Sequence, residues 1–77
     1  MRTYKAIDVM HAAHEVYLEC GEGNEQYAQS KTNTFLRRCG ADIEQPKEQQ
    51  LSEQRIKEIV YAMLDADAEE RFFSLLK

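Results

Sequence analysis

The segment HAAHE at residues 11–15 is the part of the chain whose residue types and spacing suggest metal chemistry. Residues three and four apart on a helix share a face, so His11 and Glu15 could reach one ion. A closed zinc site would still need Cys20 or Cys39 as a further ligand, and the order differs from the HExxH motif of metalloproteases. We therefore expect surface histidines on a solvated helix, with no metal and no other cofactor.

The two cysteines, Cys20 and Cys39, lack the CxxC spacing of redox and zinc motifs. In a reducing compartment such thiols usually pack as small apolar residues. We expect both to lie in the core near helix ends. A disulfide between them would need an oxidising environment that the sequence does not indicate.

Carboxylates cluster at Asp65, Asp67, Glu69 and Glu70, where helix capping and solvation account for them. A general acid needs a pocket that desolvates it, and a chain of 77 residues has little interior to form one. The glycines form no phosphate-binding loop. We therefore expect a protein without enzymatic activity.

The composition predicts one folded, all-α domain. Hydrophobic residues make up 43% of the chain and charged residues 31%, with one Pro and three Gly, which is typical of a helical domain and not of a disordered segment. The N-terminus alternates charged and small residues, unlike a signal peptide, and no apolar run approaches the ~20 residues that span a bilayer. We expect a cytoplasmic protein with no membrane contact.

The net charge of −4 is uneven along the chain. Residues 41–77 hold nine acids against five bases, whereas residues 1–40 hold five of each. Neutralising phosphates requires clustered Lys and Arg, and in residues 1–40 only Arg37 and Arg38 are adjacent, so nucleic acid is an unfavoured partner. An acidic surface suits a basic protein partner, although it also serves solubility.

Periodicity and end signals predict three or four short helices, at about 4–20, 25–39, 52–64 and 67–76, in a bundle or orthogonal arrangement. We expect Gly21 to end the first helix in the left-handed conformation, and Gly40 to end the second. Asn24 and Ser52 are the expected N-caps of the second and third helices. The residues from 44 to 50 are predicted to form a surface loop.

The third helix has the clearest pattern. Ser52 begins it, Leu51 and Ile56 have the spacing of a hydrophobic staple, and an apolar face follows with helical period. Beyond residue 64 the chain either continues as helix or breaks, with Asp67 capping a separate fourth helix; we favour the break.

Two alternatives to a protein-binding role remain open. Arg37, Arg38, Arg55 and Lys57 could contact DNA, but the connection before the third helix is longer than the turn of a helix-turn-helix motif. A homo-oligomeric assembly subunit, such as a homodimer, is the other alternative.

The C-terminal segment gives the predicted partner-binding surface, because two adjacent phenylalanines there exceed what a very small core is certain to cover. Its residues are Tyr61, Asp65, Asp67, Glu69, Glu70, Phe72, Phe73 and Leu76. Closure of the chain's own core is the competing role for the aromatic residues. We expect a non-enzymatic regulator or inhibitor that binds and sequesters another protein.

In length, acidity and lack of a catalytic motif, the chain is similar to small phage- or plasmid-encoded regulators that sequester a host protein, such as anti-sigma factors or nuclease inhibitors. This similarity rests on size and composition and covers no specific motif.

Overall fold

The computed structural model describes residues 2–44 and 49–76, which form four helices and one short sheet. In chain order the elements are β1 (Thr3–Lys5), α1 (Ala6–Cys20), α2 (Glu25–Arg38), β2 (Gln50–Ser52), α3 (Glu53–Met63) and α4 (Ala66–Leu76). The expected all-α class is confirmed, with a two-stranded sheet added to it. Residues 45–48 of the expected surface loop lie outside the described residues.

The sheet joins the segment before α1 to the segment before α3. β1 and β2 are antiparallel, with Tyr4 opposite Leu51, and backbone hydrogen bonds from Ala6 and Glu53 extend the ladder at both ends. We had expected residues 4 and 5 in the first helix and Gln50 in a loop, and both expectations were wrong. Three residues are too few to show the alternation of a strand, and the partner strand is distant in sequence.

Helix α1 lies between α2 and α4 and runs antiparallel to both. Its C-terminal part meets the start of α2, where the rings of Tyr17 and Tyr27 are 6.5 Å apart, and it meets the start of α4 through an ion pair between Glu19 and Arg71. Six of its residues are buried: Ala6, Val9, Ala12, Ala13, Val16 and Tyr17. A stripe this broad needs two neighbouring helices to cover it.

An aromatic cluster joins the three helices at the centre of the core. Phe35 of α2 and Phe72 of α4 are fully buried, and their ring centroids are 5.3 Å apart. Tyr17 of α1 packs edge-on against Phe35, with centroids 6.5 Å apart. Such offset contacts add to the stabilisation that burial of the rings provides.

Several helix ends are formed as the sequence predicts. The Asn24 side chain accepts a hydrogen bond from the Tyr27 amide at 3.0 Å, and the Ser52 hydroxyl accepts one from the Arg55 amide at 3.3 Å. Gly40 follows α2 with φ +87°, so its left-handed conformation is confirmed.

Gly21 does not have the expected left-handed conformation, because its φ is −93°. The positive φ values fall on the next two residues, Glu22 at 55° and Gly23 at 87°. Gly21 is needed for a different reason: a Cβ there would lie 2.5 Å from the ring of Tyr27. Its small size therefore lets α2 pack close to the end of α1.

The helical conformation is interrupted between α3 and α4, where Leu64 is extended. Asp65 caps α4, since its side-chain oxygen accepts a hydrogen bond from the Ala68 amide at 2.9 Å. Our expectation that Asp67 is the cap was wrong. Asp65 and Asp67 both have the residue type of an N-cap. Because α4 begins at Ala66, Asp65 occupies the cap position and Asp67 lies within the first turn.

The aromatic cluster makes a prediction about stability. We expect Phe72→Ala to lower the free energy of unfolding by about 3–5 kcal/mol, because it removes a fully buried ring and leaves a cavity. Phe73→Ala, at a partly buried ring next to it, should cost about 1 kcal/mol. Urea unfolding followed by circular dichroism measures both. An equal or larger loss for Phe73→Ala would contradict this description of the core.

Candidate functional site

Phe72 and Leu76, which we had assigned to the partner-binding surface, are core residues. Their exposed fractions are 0% and 7%. The apolar stripe of α4 faces α1 and the ring of Phe35, so closing the intramolecular core already uses these side chains. Phe72 is therefore not available to a partner in this conformation, and Leu76 reaches the surface only at the edge of a cavity beside α1, so that part of the expected surface is wrong.

The remaining predicted residues do not form one patch. Tyr61 is 61% exposed on α3, whereas Phe73 is partly buried and packs edge-on against Phe72. Glu70 is exposed and Glu69 is partly buried on α4. Of the predicted set, Asp65 and Asp67 line one cavity and Leu76 lines another.

That cavity lies where the end of α1 meets the start of α4 and has a volume of about 250 Å³. Its lining residues are Val16, Glu19, Cys20, Asp65, Asp67, Ala68 and Arg71. A second cavity, of about 490 Å³, opens between α1 and the end of α4. Its lining residues are Asp8, His11, Ala12, Glu15, Leu75 and Leu76. We call these two cavities together the α1/α4 groove.

Charge is strongly segregated toward the two helices of this groove. Residues 6–20 and 65–76 carry seven carboxylates and a single cation, Arg71, so their net charge is −6. The whole chain has a net charge of −4, so the rest of it is net positive, at +2. The net negative charge of the molecule therefore resides in α1, α4 and the Asp65 cap.

Arg71 connects the two walls of the groove. Its guanidinium donates to the carboxylate of Glu19 from Nε, at 3.2 Å to each oxygen, and from Nη2, at 2.9 Å. This hydrogen bond raises the pKa of Arg71 further above its ordinary value. Among the described residues, no ion pair reaches the other groove carboxylates, which are Asp8, Glu15, Asp65 and Asp67.

The two histidines do not assemble a metal centre. Nε2 of His14 lies 3.1 Å from a carboxylate oxygen of Glu25 on α2, while His11 lines the groove on the exposed side of α1. Within residues 2–44 and 49–76, no group of three or more His, Cys, Asp or Glu side chains could hold a metal ion.

The cysteines differ in position and reactivity. Cys39 is in the core, as expected, and burial raises its pKa to about 12. Cys20 was expected in the core, but it is exposed and lines the groove. Partial burial raises the pKa of Cys20, and the charges of Asp65 and Glu19 raise it further. It continues the helical spacing of Ala13 and Val16, but it is the last residue of α1, where the apolar stripe is no longer covered.

The groove residues on α1 were missed at the sequence level. Asp8, Glu15 and Glu19 are spaced along one helix and form no cluster in the sequence. The useful signal was that residues 6–20 contain no Lys or Arg.

Comparisons with known proteins give no relative: no family model, no curated protein and no solved structure matches this chain. In the described part of the chain, no helix combines the length and apolarity needed to cross a membrane.

The thiol of Cys20 can report the negative potential of the groove. We expect Asp65→Asn to speed alkylation of Cys20 at pH 8, because removing this charge lowers the raised thiol pKa and increases the thiolate fraction. Asparagine still caps α4, so the helix is retained. Iodoacetamide rates measured against pH would show the profile moving to lower pH.

Two controls accompany this measurement. Asp67→Asn neutralises another carboxylate of the same cavity that is not among the charges raising the Cys20 pKa, and it should change the rate less. Cys39 should remain unmodified in the folded protein, because it is buried. An unchanged or slower reaction in Asp65→Asn would contradict this electrostatic description.

Proposed function

We propose that this chain is a non-enzymatic protein-binding module, a small regulator or inhibitor that binds and sequesters another protein. The observation that supports it is the charge segregation: the two groove helices, counted together with the Asp65 cap of α4, carry a net charge of −6 within a chain of −4. A surface with this field attracts a partner with a basic surface and orients it before contact.

The character of the groove favours recognition over catalysis. Its five carboxylates, Asp8, Glu15, Glu19, Asp65 and Asp67, are all exposed to solvent. An exposed carboxylate suits ion pairing with a partner's Lys or Arg, whereas acid–base chemistry usually requires a pocket that desolvates the group.

The proposal includes a cytoplasmic setting. Cys20 and Cys39 are both free thiols, and a reducing compartment maintains that state. The similarity in size and acidity to small phage- or plasmid-encoded sequestering proteins is also consistent with the proposal, although it covers no motif.

The DNA-binding alternative receives less support from the contacts of its basic residues. Arg55 donates from Nε to the carbonyl of Arg38 at 3.0 Å, and its Nη1 lies 3.7 Å from Glu58. Lys57 lies 3.7 Å from Glu53. Arg55 therefore already bonds across the junction of α2 and α3, and both Arg55 and Lys57 pair with acidic residues of α3.

The proposal predicts which carboxylates a partner needs. We expect the double variant Asp65→Asn/Asp67→Asn to capture its partner about three- to ten-fold less efficiently than the wild-type chain, because two charge contacts are lost. The matched control is Glu22→Gln/Glu44→Gln, which removes the same charge from exposed residues outside the groove and its two helices. Affinity capture from a cytosolic lysate, with quantitative mass spectrometry, compares the three proteins.

Two further observations make this experiment decisive. Circular dichroism must show the same helix content in all three proteins, and light scattering must report any self-association. A partner retained by the groove variant, or lost equally from both variants, would contradict a role for the groove. A clean homodimer with no heterologous partner would favour the assembly-subunit alternative instead.

A further inference from the structure

We infer that the occupant of the α1/α4 groove is a basic amphipathic helix that presents two Arg or Lys side chains seven residues apart. This inference rests on the proposed function and adds the chemistry and spacing of the partner segment. It follows from the division of the groove into two cavities, each with its own carboxylates.

The distance between the cavities sets the spacing of the two cations. One cavity is lined on α1 by residues from Asp8 to Glu15, and the other by residues from Val16 to Cys20. Their centres are about seven residues apart along α1, which corresponds to about 10 Å at 1.5 Å per residue. Positions i and i+7 of a partner helix are about as far apart and lie on nearly the same face.

The carboxylates define what each cavity would hold. In the larger cavity, Asp8 and Glu15 are two turns apart on α1, so they would flank a cation that enters between them. In the smaller one, the α4 cap Asp65 and Asp67 of α4 lie across the cavity from Glu19 of α1. A guanidinium can bind two carboxylate oxygens at once, so arginine suits both cavities better than lysine.

The floor of the groove is apolar, so the partner segment must bring apolar groups into contact with it. Ala12 and Leu76 lie beneath the larger cavity, and Val16 and Ala68 lie beneath the smaller one. The aliphatic stem of an Arg or Lys can lie along such a floor while its charged end reaches the rim. An amphipathic helix that lays its apolar face into a groove is a recurring mode of peptide recognition.

Arg71 lies in the smaller cavity and competes with the incoming cation, because it already pairs with Glu19 at 2.9 Å. The inference therefore predicts opposite effects for two kinds of variant. Removing a carboxylate should weaken binding of the partner helix, whereas Arg71→Gln should strengthen it by releasing Glu19.

The experiment uses two synthetic, fluorescently labelled helical peptides of about 18 residues, or five turns. They have the same composition and two arginines each, placed at i and i+7 in one peptide and at i and i+5, on different faces, in the other. Fluorescence anisotropy at low salt measures their binding to the full chain. We expect the i,i+7 peptide to bind about three- to ten-fold more tightly, and its affinity to fall as salt is added.

Variants of the chain then locate the binding site. Asp8→Asn/Glu15→Gln and Asp65→Asn/Asp67→Asn should each weaken the i,i+7 peptide, and Arg71→Gln should tighten its binding. Equal affinity of the two peptides, or no response to these variants, would overturn the inference. Displacement of the peptide by a second copy of the chain would also overturn it, because the occupant would then be the chain itself.

The two proposals can fail separately. If a captured protein depends on Asp65 and Asp67 but neither peptide binds, the helical occupant is wrong and the protein-binding function stands. If the i,i+7 peptide binds in the groove but every captured protein is indifferent to the groove variants, the proposed sequestering function is wrong.

Discussion

The rest of the structure depends on burying the apolar stripe of α1. Six buried residues spread over a wide arc of this helix, and one neighbour cannot cover them, so α2 packs on one side and α4 on the other. The contact between Phe35 and Phe72 closes the core between these two neighbours. Placing α4 there has a second effect: it brings Asp65 and Asp67 to the flank of α1 that carries Glu19. The acidic groove is thus a by-product of core formation.

Local signals accounted for the helices well. Asn24 and Ser52 cap the starts of α2 and α3, and Gly40 follows the end of α2. Their hydrogen bonds and backbone angles involve only neighbouring residues, and such signals can be identified in a sequence. The two strands depend on a partner far along the chain, so nothing local marked them. Gly21 illustrates the same limit, because it is required by the ring of Tyr27 and not by its own backbone.

The candidate site was only half predictable. The acids of α4 were noticed because they cluster in sequence, whereas those of α1 are spaced over three turns and become part of one surface only through tertiary packing. An apolar stripe gives no indication of whether it meets its own core or another protein. Phe72 and Leu76 were therefore assigned to an interface, although they fill the space beside α1.

The position of α4 after every other element in chain order has a consequence for biosynthesis. Until α4 emerges, α1 and α2 can pair, but one flank of α1 and the ring of Phe35 remain uncovered. The β1–β2 pairing also joins an early segment to a late one. We therefore expect nascent chains that end before Ala66 to be partly open and recognisable by chaperones and proteases, with cooperative folding completed only once α4 has been synthesised.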